Sequence, residues 1–171
     1  MNILNFFYLT EGEWLIQQTV YILHLKQHFT QQGKLIIKEI TNNNNLMNSI
    51  LKELTNLNYQ IKNIKIYEII WNQNLDNSSI IVFFEINKYA NNLITGIVYK
   101  FDQDLSKGKL VGNFNLQYNI LKINFETKNL IIEEKIWLAN PNLKLNTSII
   151  KNNKGCTNIA FGSAIKVNSN L

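Results

Sequence analysis

A chain of 171 residues with 46% hydrophobic residues can bury a real core and suits one domain, residues 1–171, better than two. Charged residues reach only 17%, against the roughly 25% usual in soluble domains, and asparagine makes up the polar balance. The net charge is +5, and all 17 basic residues are lysines scattered without a like-charge run. That pattern reads as a solvated surface and gives no basic nucleic-acid face.

Other absences narrow the class. A single cysteine, Cys156, excludes an internal disulfide and fits a reducing compartment. No run of roughly 18 apolar residues offers a membrane span, and the first residues lack the basic character of a signal peptide. His24 and His28 have no second His or Cys at ligand spacing, so no zinc site is expected. Asn, Ile and Lys dominate, and their AT-rich codons point to an AT-biased genome such as an organelle's.

In chain order, residues 2–9 are apolar and aromatic and are expected to form a short helix that plugs one barrel end. Gly12-Glu13-Trp14 follows. The glycine permits a tight turn and the tryptophan packs across a closed barrel end, as in the opening of lipocalin-like barrels. A long β-rich run covers 15–26, and a turn at 31–33 leads into 34–40. Residues 42–45 are an asparagine loop. In 46–57, Leu46, Met47, Ile50, Leu51, Leu54 and Leu57 share one helical face.

Strands are predicted at 61–71, 80–86, 93–101, 109–118 and 121–126. The last alternates cleanly, with Leu121, Ile123 and Phe125 against Lys122, Asn124 and Glu126. A turn at 127–129 leads to 130–138, and strands at 143–151 and 157–167 close the series. About ten strands with short connections predict a mainly β fold: an antiparallel barrel with one or two short helices, wide enough to enclose one small ligand.

The segment 133–148 is the candidate for chemistry. Its two strands meet at Asn140-Pro141-Asn142, where proline blocks pairing and favours a turn. Beyond it, Asn142, Lys144, Asn146 and Ser148 share one face, and Leu143, Leu145, Thr147 and Ile149 the other. A wholly polar face is either ordinary solvent-facing wall or a set of donors lining a cavity for an anionic ligand.

This segment resembles the signature of the CpcS/CpeS-like phycobiliprotein lyases, Glu-Arg-x-Trp-Phe-Ala-x-Pro-Asn-Leu-Arg-Leu-Arg-Thr-Ser. The match falls at Glu134, Trp137, Ala139, Pro141, Asn142, Leu143, Leu145, Thr147 and Ser148. Weaker likeness extends over most of the chain. Trp14 with Gln17-Gln18-Thr19 is similar to an opening Trp-x-x-Gln-Arg-Thr, Tyr67-Glu68 to an internal Trp-Glu, and Phe161 to Lys166 to a closing Phe-x-Ser-Glu-Ile-Arg.

The resemblance implies a ten-stranded barrel of the lipocalin or fatty-acid-binding-protein kind. It implies a lyase that holds an open-chain tetrapyrrole, a bilin such as phycocyanobilin or phycoerythrobilin, non-covalently as substrate and with no prosthetic group. The bilin is then joined by a thioether to a cysteine of an apo-phycobiliprotein α or β subunit, which supplies the thiol and leaves Cys156 structural.

The roles that follow are a propionate counter-ion at Lys144, neutral donors at Asn142, Asn146 and Ser148, and stacking by Tyr67 and Trp71. Glu134 becomes the counter-ion or proton donor for the pyrrole nitrogens. Gln18, Lys144 and Asn146 stand where the family has arginine, Tyr67 replaces a tryptophan and Ala164 a glutamate. Lysine keeps charge without arginine's fork, while Gln18 and Asn146 lose it. A non-catalytic tetrapyrrole carrier, or the non-catalytic half of a two-subunit lyase, therefore stands as the alternative. The expected partners are the acceptor subunit, the bilin and a second S-type chain in a homo- or heterodimer, with no nucleic acid and no membrane. The expected place is the plastid stroma of a red-lineage alga, or else a cyanobacterial cytoplasm.

Overall fold

The computed structural model describes residues 3–40, 61–72, 74–88, 93–102 and 109–167. A helix, α1 (Ile3–Thr10), precedes β1 (Gly12–Ile22), β2 (Gln27–Glu39), β3 (Asn63–Trp71), β4 (Asn74–Lys88) and β5 (Ile94–Asp102). Then come β6 (Lys109–Gln117), β7 (Ile120–Glu126), β8 (Ile131–Asn140), β9 (Leu143–Asn152) and β10 (Gly155–Lys166). Each strand pairs antiparallel with its sequence neighbour and β1 closes onto β10, so these ten form a barrel without an edge. The expected barrel is thus the one observed. The helix expected at 46–57 lies outside the described residues.

Pleating sorts side chains between wall faces. In β7, Leu121, Ile123 and Phe125 point inward and are buried, while Lys122, Asn124 and Glu126 are exposed. Register carries this face around the barrel: Leu121 opposes Ile136, which opposes Asn146, which opposes Gly162, which opposes Gln18. The β3–β5 wall differs, because both of its faces are buried. Tyr67, Ile81, Phe83 and Val98 face the interior; Ile66, Val82, Phe84, Ile97, Tyr99 and Phe101 form a second cluster outside, with Ile40 and Ile61 packed against it. The uninterrupted apolar run Ile80 to Phe84 is what such a two-sided strand requires.

Two boundaries correct the sequence reading. The first hairpin turns at residues 23–26, not at 31–33; Lys26 takes a left-handed φ of 52°, and Gly33 sits inside β2. Glycine is needed at 33 because a Cβ there would run into the Asn72 side chain. Strand β4 also begins at Asn74 rather than 80.

Helix α1 seals the end where β1 starts and β10 finishes. Two turns of helix are marginal alone, and tethers hold this one. Trp14 Nε1 donates to the Thr10 carbonyl at 2.9 Å, Lys166 Nζ donates to the Leu9 carbonyl at 3.1 Å, and Thr10 Oγ1 donates back to Phe7 O at 2.7 Å. Gly12, at φ 110°, makes the sharp exit into β1. Phe6 and Phe7 thereby enter the barrel, where Phe7 packs on Phe83 and Tyr67 with ring centroids 4.6 and 5.2 Å away.

Candidate functional site

Beneath α1 a cavity of about 100 Å³ runs into the barrel. Its lining is mostly apolar, including Phe6, Phe7, Ile37, Ile69, Phe83, Leu121 and Ile136, and is interrupted by Lys144, Glu134, Lys100, Thr10 and Tyr67. That space is below the roughly 300–1,000 Å³ of pockets for drug-sized ligands.

Lys144 is the least ordinary group in it. It is only 5% exposed, opposes Ala164 on β10 and Leu138 on β8, and lies with Nζ 4.6 Å from the Trp14 ring centroid. Lys166 lies over the same ring at 5.3 Å. Among the described residues no carboxylate pairs with Lys144. Burial, and secondarily the Lys166 charge, lower its pKa to about 7. An attraction of a desolvated cation to indole recovers about 2 kcal/mol or somewhat more. That is less than the several kcal/mol a buried ion costs, so the site is short of an anion.

From Lys144 the inward face of β9 continues through Asn146 to Ser148, both half-buried. Opposite them on β10 stand only small residues, Ala164, Gly162 and Ala160. A Cβ at Gly162 would strike the Asn146 amide, so the glycine gives that amide its space. Beyond β10, Gln18 faces inward and accepts a 2.9 Å hydrogen bond from Gln31 Nε2. On the other side Glu134 opposes Ser148, is half-buried, and makes no ion pair among the described residues. A polar stripe therefore runs along the wall from the sealed end toward the mouth.

Tyr67 faces the same cavity. It is 2% exposed, stacks on Phe7 at an interplanar angle of 25°, and its hydroxyl has no hydrogen-bond partner among the described residues. Burial, then the Glu39 and Glu11 charges, push that hydroxyl's pKa up, so it stays a neutral donor. Glu11 is itself raised by burial and by Glu39, against Lys65 and Lys166.

The structure thus gathers Lys144, Glu134 and Tyr67 around one cavity and sets Asn146 and Ser148 on the same inward face. Two expected residues are elsewhere. Asn142 is exposed in the β8–β9 turn, where its backbone carbonyl accepts from Lys166 N. Trp71 packs with Trp14, Ile16 and Leu35 instead of lining the cavity. Cys156 is exposed beside the bulge in β10 and contributes nothing to the core. Lys100 and the α1 phenylalanines were not expected at the site. Lys100 shares a face with Gly96 and Val98, but the opposite face of β5 is equally apolar, so alternation alone does not say which looks inward. Among the described residues no cluster of His, Cys, Asp and Glu could hold a metal ion.

Comparison with known proteins places this geometry. The model of the CpeS-like protein family matches residues 2–167. A chromophore lyase CpcS/CpeS of Trichodesmium erythraeum is 28% identical, with 97% of this chain and 98% of that protein aligned. A chromophore lyase CpcS/CpeS homolog of Pyropia yezoensis is 29% identical over 97% and 99%. The solved S-type phycobiliprotein lyase CPES of Guillardia theta shares the fold, with a TM-score of 0.68 over 99% of this chain and 94% of that one, at 16% identity.

Proposed function

We propose that this chain, which belongs to the CpeS-like family, is a chromophore lyase that binds a bilin non-covalently and attaches it to a cysteine of an apo-phycobiliprotein. One observation carries the assignment of the site: a buried lysine at the inner end of an apolar cavity, with no counter-ion among the described residues. A bilin brings two propionates and a long conjugated plane. Lys144 binds one propionate, Asn146 and Ser148 add neutral donors, and the Tyr67 ring lies against a pyrrole. Glu134 accepts pyrrole N–H bonds and favours the protonated bilin, which is the better electrophile.

The chemistry needs nothing else. The acceptor's thiol adds to the bilin's ethylidene double bond: sulfur takes one carbon, a proton goes to the conjugated system, and no group leaves. Mixing the protein with bilin and apo-subunit tests the reading. Zinc-induced bilin fluorescence on the denatured acceptor band is the expected result; its absence with either subunit type overturns lyase activity.

The neutral side chains Gln18 and Asn146 favour a second reading, a tetrapyrrole carrier or a partner subunit without catalysis of its own. In the same assay this predicts bilin bound by the protein but transferred only with another S-type chain present. Relatives in Pyropia yezoensis and Porphyra purpurea, with the AT-biased composition, support a chloroplast stroma as the site of action.

A further inference from the structure

A bilin carries two propionates, and the β9 wall turns only one cation, Lys144, toward them. Asn146 and Gln18 on the same inward surface are neutral; they can donate hydrogen bonds but cannot neutralise a carboxylate. A second cation reaches the cavity from another strand. Lys100 lines the same space as Lys144 and Glu134. On β5 it opposes Ile81 of β4 and Leu110 of β6, and it shares its face with Val98, which is buried with Ile81 in the interior cluster. Directly opposed side chains lie on one face of a sheet, so Lys100 points into the barrel among apolar neighbours. It is partly buried and makes no ion pair among the described residues, although Glu134 lines the same cavity. In the closed order of ten strands β5 stands four places from β9, so the two lysines come from facing walls.

Resting on the bilin reading, we infer that Lys100 holds the second propionate, so that the bilin is gripped at two points from opposite sides of the barrel. An amine turned inward among isoleucine, leucine and valine is unfavourable unless an anion meets it. Among the described residues the cavity presents two amines and one carboxylate. That set is complementary to a ligand with two carboxylates and one centre rich in N–H groups. A fatty acid has a single carboxylate and would leave one lysine unanswered. The propionates of a bilin hang from its two middle pyrroles. One grip leaves the molecule free to swing about that contact. Two grips fix the middle rings and so limit where the outer ring, whose ethylidene must meet the acceptor's thiol, can go.

The test is an absorption titration of the full chain with bilin and with its dimethyl ester, which keeps the tetrapyrrole and removes both negative charges. Wild type should bind the diacid more tightly than the diester. Lys100→Met and Lys100→Gln should each raise the diacid Kd about tenfold or more and leave the diester Kd within about twofold, as loss of a charged hydrogen bond requires. Diester binding at wild-type strength also shows that the barrel is intact. Lys100→Arg should keep the diacid affinity. In Lys100→Met combined with Lys144→Met, the two losses in diacid affinity should multiply, because each lysine serves its own carboxylate. An unchanged diacid Kd in Lys100→Met overturns the proposal. So do equal losses for diacid and diester, which make Lys100 a packing residue, and a combined loss no larger than the greater single one, which puts both lysines on one carboxylate. Wild type that binds neither ligand defeats the bilin reading itself; wild type that binds and transfers bilin no better than Lys100→Met defeats the Lys100 assignment alone.

Discussion

Lys144→Met separates two roles that a buried lysine can have, because it predicts opposite signs for stability and binding. Methionine keeps the unbranched length and removes the charge. In the folded protein the lysine's pKa falls from 10.5 to about 7, and each unit corresponds to about 1.4 kcal/mol. The implied penalty of some 5 kcal/mol is an upper bound. Replacing buried ionic groups by apolar ones of similar volume gains about 1–4 kcal/mol, and the lost indole contact subtracts up to about 2. Mid-range values, about 2.5 kcal/mol gained and about 1 lost, leave the variant more stable than wild type at pH 6 by about 1.5 kcal/mol.

The sign with pH follows from linkage. Between about pH 7 and 10.5 the unfolded chain holds this proton and the folded chain does not, so wild-type stability from this group rises with pH across that window. The variant's advantage should fade by pH 9–10. Bilin affinity should fall by about 1.5–3 kcal/mol, roughly 10- to 150-fold in Kd. Urea unfolding at pH 6 and 9.5, with bilin titration followed by absorption, reads both. A variant less stable at pH 6, or one that binds bilin as tightly as wild type, refutes the unpaired-cation argument.

Three further substitutions probe the polar wall and the helix that plugs it. Glu134→Gln should leave the fold and binding largely intact but shift the absorption of bound bilin and slow transfer; an unchanged spectrum and rate remove Glu134 from the mechanism. Asn146→Arg should tighten bilin binding measured by titration, since it restores a fork suited to a carboxylate; equal affinity would mean the propionates do not reach this side of β9. Phe7→Ala should cost about 3–5 kcal/mol in urea unfolding, because the ring packs on Tyr67 and Phe83 inside the barrel; a loss under 1 kcal/mol would mean α1 does not plug the barrel in solution.

The barrel was readable wherever one face is wet. Alternation from Leu121 to Glu126, the Pro141 turn, and the Gly12–Trp14 closure all appear where the sequence puts them. Legibility failed where a residue's usual preference was overruled locally. Gly33 looks like a turn but is required by the Asn72 side chain against β2, while the true turn puts lysine, which carries no turn signal, at a left-handed φ. Lys100 was hidden because β5 is apolar on both faces. The polar face of β9 was visible as a face, but its direction was settled only by closure of the barrel, which sets Lys144 against Ala164. Neither Asn142 nor Trp71 reaches the cavity, because one lies past the strand end and the other at the far end of β3.

Closure between β1 and β10 also orders events during synthesis. The Trp14–Lys166 pairing joins the first strand to the last, so the interior cannot form until almost the whole chain has left the ribosome. Until then β1 presents an open edge that invites pairing with other chains. Non-local closure of this kind makes folding slow, on the order of milliseconds to seconds. It also brings the backbones of Glu13 and Val167 within a 2.8 Å hydrogen bond of each other. A permuted chain, with a linker leading from Val167 back to the start of α1 and new ends cut in the exposed turn at 127–130, would begin with the motif-bearing hairpin and emerge in a different order. Its barrel should be unchanged, while its tendency to aggregate during synthesis should not be.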